Sequence, residues 1–142
     1  MIVSHVAHVI NLTRGLGWAA IAATEFGLYD LAREAWAELG HAGARLHTSV
    51  PVVLETFTFL DRQATRGVAI AWRKSLDGVP RQRICPVTPR DLRAAWEFFE
   101  RRDLRKLSAV DAVSFVLMRR AQVRSAFAFD HHFTTVGFRL AG

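Results

Sequence analysis

The apolar positions of this chain follow two alternating periods. Short apolar runs read as strands at 6–13 (VAHVINLT), 45–48, 82–87 (QRICPV), 125–129 (SAFAF) and 137–140. Between them, apolar residues recur at helical spacing. In 28–39 (LYDLAREAWAEL), Leu28, Leu31, Ala32, Ala35, Trp36 and Leu39 share one face, and Gly40 and Gly43 close the helix. Gly15 and Gly17 mark a turn into a helix that carries Trp18 and Ile21. Ser49 is placed to cap the next helix, with Pro51 near its first turn. Residues 65–76 predict another, ended by Asp77 and Gly78. Thr88, Pro89 and Asp91 open a helix with Leu92, Ala95, Trp96 and Phe99 on one face, and Ser108 caps one more. The spacing of Trp36, Trp72 and Trp96 predicts core-facing positions on these helices. Strands alternating with helices predict an α/β fold, one domain over 1–142, with a mostly parallel central sheet flanked by helices.

Three carboxylates interrupt this pattern. Glu55 is the only charge in 49–60 (SVPVVLETFTFL), Asp111 the only charge in 107–118 (LSAVDAVSFVLM), and Asp130 ends the apolar run 126–129. Burying an ionised carboxylate is costly unless something pairs with it. Separate ion pairs with some of the nineteen Lys and Arg would satisfy them, and so would one shared divalent cation. Hard ions such as Mg²⁺ or Mn²⁺ take oxygen ligands and activate water on phosphodiesters. In an open parallel sheet, ligands bind beyond the carboxyl ends of the strands. Asp130 follows a strand, and Glu55 and Asp111 fall in the first turns of helices, so the topology is able to gather all three.

Composition narrows the function. At 142 residues, half of them hydrophobic and ten of them Phe, the chain can bury a substantial core. No apolar run is as long as a membrane-spanning helix. The apolar N-terminal stretch lacks a basic start and is broken by His5, His8, Asn11 and Arg14, which argues against a secretion signal. Cys85, the one cysteine, fits a reducing cytoplasm and a packing role. A net charge of +6 favours acidic partners, nucleic acid foremost, although a basic surface also suits an acidic protein. His131 and His132 carry ring nitrogens that bind metals, yet adjacent loop residues point apart, and a polar loop is the simpler reading. Ser114, one turn after Asp111, suits either a hydrogen bond in the site or plain packing.

The run LSAVDAVSFVLMRRAQVRSAFAFDHHFTTVGFRL resembles the C-terminal half of a PIN domain of the VapC toxin type. Ser108, Asp111, Arg119, Arg120, Asp130, Phe133, Gly137 and Phe138 carry the likeness. TSVPVVLETFTFLDR resembles the second motif of that family, with Glu55 as its acid, and GWAAIA resembles the segment after its first strand. The resemblance implies a Mg²⁺- or Mn²⁺-dependent endoribonuclease, with Glu55, Asp111 and Asp130 as catalytic metal ligands. It further implies RNA as substrate, an antitoxin protein as partner and a homodimer.

One motif departs from the family. Where the first strand ends, the family has an Asp, and alignment back from Trp18 places Arg14 there. Shifting the register offers Asn11, and no Asp or Glu precedes Glu25. His132 stands where many members have a further acid. Two readings follow. Either three acids hold the metal, with Glu25 or Asp30 able to swing in, or the site has lapsed, with Arg14 paired to Glu55 or Asp111. A lapsed domain would bind RNA or an antitoxin-like protein without cutting.

Overall fold

The computed structural model describes residues 46–78, 82–126 and 131–140. The expected first strand, the helix over 28–39, the Gly15–Gly17 turn, Arg14, Asn11, Glu25, Asp30, Trp36 and Asp130 lie outside them.

Strand β1 (Leu46–Ser49) runs straight into helix α1 (Val50–Gln63). Ser49 ends the strand and caps the helix, its hydroxyl accepting from the Val52 N–H, and Pro51 sits in the first turn, where no N–H is needed. Helix α2 (Arg66–Leu76) follows, capped by the Thr65 hydroxyl. α1 and α2 pack on each other through Leu60, Val68, Ala69, Trp72 and Leu76. Trp72 is buried here as expected, though its indole N–H finds no acceptor among the described residues.

Strand β2 (Gln82–Cys85) pairs in parallel with β1, from Leu46 opposite Gln82 to Ser49 opposite Cys85. It is shorter than the apolar run implied, because Pro86 follows at once and has no N–H for a ladder. Helix α3 (Pro89–Trp96) begins with a full capping box. The Thr88 hydroxyl accepts from the Asp91 N–H, and the Asp91 carboxylate accepts from the Thr88 N–H. A 3-10 turn, Glu97–Glu100, continues it.

Helix α4 (Ala109–Arg120) is capped by the Ser108 hydroxyl, which accepts from the Asp111 N–H at 3.0 Å. Strand β3 (Ser125–Ala126), a short helix α5 (His132–Thr135) and strand β4 (Arg139–Leu140) complete the described chain, β3 and β4 again pairing in parallel. Gly137 makes the turn into β4 at φ +95°, a conformation that favours glycine. Both described strand pairs are parallel, as the alternation of elements predicted.

The larger core centres on α4. Phe115 is fully buried and meets Phe98 edge-on at 5.2 Å and Phe133 at 4.9 Å between ring centres. Cys85, Ala95, Leu104, Leu107 and Ala126 join the same cluster, so Cys85 packs as a small hydrophobe, with His47 Nδ1 3.9 Å from its sulfur. The face expected for α3 needs correction. Ala95 and Phe98 point into the core, whereas Leu92, Trp96 and Phe99 are exposed. The tightening into a 3-10 turn after Trp96 rotates the later positions, so Phe98 rather than Phe99 turns inward. Among the described residues, no helix is long and apolar enough to cross a membrane.

Candidate active site

Asp111 is the third residue of α4 and only 1 % exposed. Its burial follows from its neighbours: Ala112, Val113, Phe115, Leu117 and Met118 all enter the core. A carboxylate in a capped first turn faces the positive end of the helix dipole, which favours its charged form. Glu55 lies in the second turn of α1, one turn later than the sequence suggested, and its Oε2 is shielded from solvent, as is Oδ1 of Asp111. Each of the two residues has an interaction partner. Both supply hard oxygen donors, the type a divalent cation such as Mg²⁺ takes, so the donor chemistry fits. No group of three His, Cys, Asp or Glu able to hold a metal occurs among the described residues, and the third expected acid, Asp130, lies outside them.

The neighbouring candidates take structural roles. The Ser114 hydroxyl donates to the Val110 carbonyl at 2.9 Å inside the helix, which is packing rather than site chemistry. His131 and His132 do not sit on a loop: His132 begins α5 and is buried, while His131 is exposed just ahead of it. The His132 Nε2 hydrogen-bonds the Arg105 carbonyl at 2.9 Å. This ties the segment after position 130 to the loop that leads into α4.

The two arginines ending α4 lie far from Asp111. Arg120 is nine residues on, about 13 Å along the axis at the usual helical rise. Its Nη1 donates to Asp91 Oδ2 and its Nη2 to the Pro86 carbonyl. Burial, the largest single influence on Asp91, pushes its carboxyl up. Hydrogen bonds from the Thr88 N–H and hydroxyl and from Arg120 outweigh that and hold it below the usual carboxylate range. Arg119 stacks over the Phe98 ring at 5.2 Å. Arg120 thus locks α4 onto α3. The capping motif was legible, while the Asp91–Arg120 contact, 29 positions apart, had no local signal.

Comparison with known proteins agrees with this frame. Residues 20–139 match the PIN domain model. The 23S rRNA-specific endonuclease VapC20 of Mycobacterium tuberculosis, from the CDC 1551 / Oshkosh and ATCC 25618 / H37Rv strains, is 35 % identical, over 72 % of this chain and 89 % of its own. The crystal structure of Mycobacterium tuberculosis VapC20, described as a sarcin–ricin loop cleaving toxin, superposes with a TM-score of 0.71. It is 28 % identical and covers 97 % of this chain and 96 % of that one.

The chain therefore belongs to the PIN domain family. Within it, the chain is a homologue of the VapC toxins, and endoribonuclease activity is the function that this homology gives it.

Proposed function

We propose that this chain is a Mg²⁺- or Mn²⁺-dependent endoribonuclease in which Glu55, Asp111 and Asp130 hold the ion. The observation that carries this reading is Asp111, a carboxylate 1 % exposed at the capped start of an otherwise apolar helix. A helix whose first turn buries a charge among Ala112, Val113 and Phe115 has a use for that charge. In this role Ser108 fixes the start of α4, and the core packing of Phe115 keeps Asp111 from swinging out. Glu55 and Asp130 add oxygen donors from two other segments. A divalent ion held there supplies Lewis-acid stabilisation of the phosphodiester and lowers the pKa of bound water. The RNA class follows the VapC20 likeness, and we take large-subunit ribosomal RNA as the substrate. Work on such RNA would place the activity in the cytoplasm, with an antitoxin-like protein restraining it. Self-association as a homodimer is supported by Leu92 and Trp96, which leave an apolar stripe exposed on α3.

A second reading is favoured by Arg14 at the position of the first family acid. A guanidinium there would satisfy Glu55 or Asp111 in place of metal, leaving a domain that binds without cutting. One experiment decides between the two. Purified protein is incubated with total ribosomal RNA in Mg²⁺, Mn²⁺ or EDTA, beside Glu55→Gln, Asp111→Asn and Asp130→Asn. Metal-dependent cleavage lost in all three variants supports the first reading. Absence of cleavage in wild type, with RNA still bound, supports the second.

A further inference from the structure

The loop between the 3-10 turn and α4, residues 101–107 (RRDLRKL), carries four cations and one acid immediately before the capped start of the Asp111 helix. It borders an open groove of about 780 Å³ lined by Phe99, Arg101, Arg102, Arg105 and Lys106. The loop is held firmly. Leu104 and Leu107 are buried in the main core, and the Arg105 carbonyl is bonded by His132. Asp103, the one acid, is taken by Arg101 through both carboxylate oxygens. Lys106 adopts φ +61°, a left-handed conformation uncommon outside glycine. With these anchors in place, Arg102, Arg105 and Lys106 are exposed, and no ion pair among the described residues engages them.

We propose that this groove binds the RNA backbone, with Arg102, Arg105 and Lys106 on successive phosphates and Phe99 stacking on a base. The proposal rests on the ribonuclease reading and names the surface that feeds that site. Three cations on a rigid loop pre-organise phosphate contacts, and Arg offers two parallel hydrogen bonds to each. Phe99 is 45 % exposed and its ring lies 5.8 Å from Trp96, so an aromatic surface borders the charges. A protein-docking surface would centre on buried apolar anchors and shed charge from its middle. Here charge predominates and a single ring faces the groove. The loop joins α4 two residues after Lys106, and His132 couples it to the segment following Asp130. RNA seated on it is thereby held beside the start of the helix that carries Asp111.

The test is binding of a fluorescein-labelled single-stranded RNA of mixed sequence, in EDTA, across a salt series. Wild type is compared with Arg102→Gln/Arg105→Gln/Lys106→Gln and with a charge-matched control, Arg62→Gln/Arg73→Gln/Lys74→Gln, on α1 and α2. Each phosphate contact contributes about 0.7 to the salt slope on single strands, so the loop triple flattens it by about 2. The double Arg102→Gln/Arg105→Gln spares the left-handed Lys106 and gives about two thirds of that change. Thermal melting confirms that each variant is folded. Equal flattening by the control overturns the proposal in favour of diffuse charge. RNA binding unchanged in the loop triple overturns it too, and loss of polyglutamate binding by that triple would then mark a protein-docking surface. Wild type that neither binds nor cuts RNA at low salt defeats the ribonuclease reading itself, a different outcome from a silent loop triple.

Discussion

Arg120 closes α4 onto α3 by donating to the Asp91 carboxylate, and the same guanidinium holds the Pro86 carbonyl. Three structural needs meet in Asp91. It caps its own helix, it binds the neighbouring helix through Arg120, and it is 5 % exposed. The chain leaving β2 is thus pinned to the far end of the helix that bears Asp111.

This contact carries a pH signature. The folded pKa of Asp91 lies below its unfolded value, about 3.9 for a free Asp. Its contribution is therefore complete above that value and is lost as pH falls through the lower folded pKa. Replacing Arg120 with Met should cost about 1.5–3 kcal/mol at neutral pH, the range for hydrogen bonds to a charged group. Urea unfolding should show the gap from wild type narrowing as the medium is acidified below pH of about 4. A gap constant down to that acidity would mean that Arg120 contributes through packing alone.

Trp96 offers a test of self-association. It is 52 % exposed beside Phe99, an unusual position for so large a ring on a stable helix. Trp96→Glu should convert a dimer to a monomer in sedimentation experiments while leaving circular dichroism unchanged. Identical sedimentation of both proteins would remove this face from any subunit contact.

Phe115 anchors its own helix, the one that carries Asp111, in the core. Phe115→Ala removes a fully buried ring from contacts with Phe98 and Phe133 and should destabilise by about 3–5 kcal/mol. Ser114→Ala, next to it, loses only a hydrogen bond within its own helix and should stay within about 0.5 kcal/mol of wild type. Denaturant midpoints of the two variants measure the contrast directly, and similar values would argue that the core reorganises around the missing ring.

The place proposed for Arg14 is open to a metal-binding test. Arg14→Asp would add an oxygen ligand and raise repulsion among the acids, so the metal-free variant should melt lower than wild type. Its Mn²⁺-induced stabilisation should exceed that of wild type, reaching about 2.7 kcal/mol where the ion is at a hundred times the variant's dissociation constant. A Mn²⁺ response equal to that of wild type would place Arg14 outside the site.

The helix starts were legible because capping chemistry is local. Ser49, Thr88 and Ser108 each stand just before an apolar period, and each caps its helix; Thr65, counted by its spacing as the first helical residue, is a cap as well. The burial of Asp111 was legible too, as the one charge in an apolar helix. Trp96 is exposed because large apolar side chains imply burial only on average, and the switch to a 3-10 turn after it redirects Phe98 and Phe99 without any change in composition. The partner of Arg120 and the tether from His132 were invisible. Both join residues more than twenty-five positions apart, and neither has a periodic or neighbouring cue.

The bond from His132 to Arg105 divides one residue between two duties. The main chain of Arg105 serves the fold, and its side chain is left outside. Any amino acid that keeps the carbonyl in place keeps the tether, so the identity of the side chain is released from selection for stability. Arg102 is in the same position, held within a loop whose anchors are Leu104 and Leu107. Such a loop can drift in sequence while its shape persists. Relatives sharing this framework would then diverge in how tightly they hold RNA through a few outward-facing substitutions, with no repacking of the core.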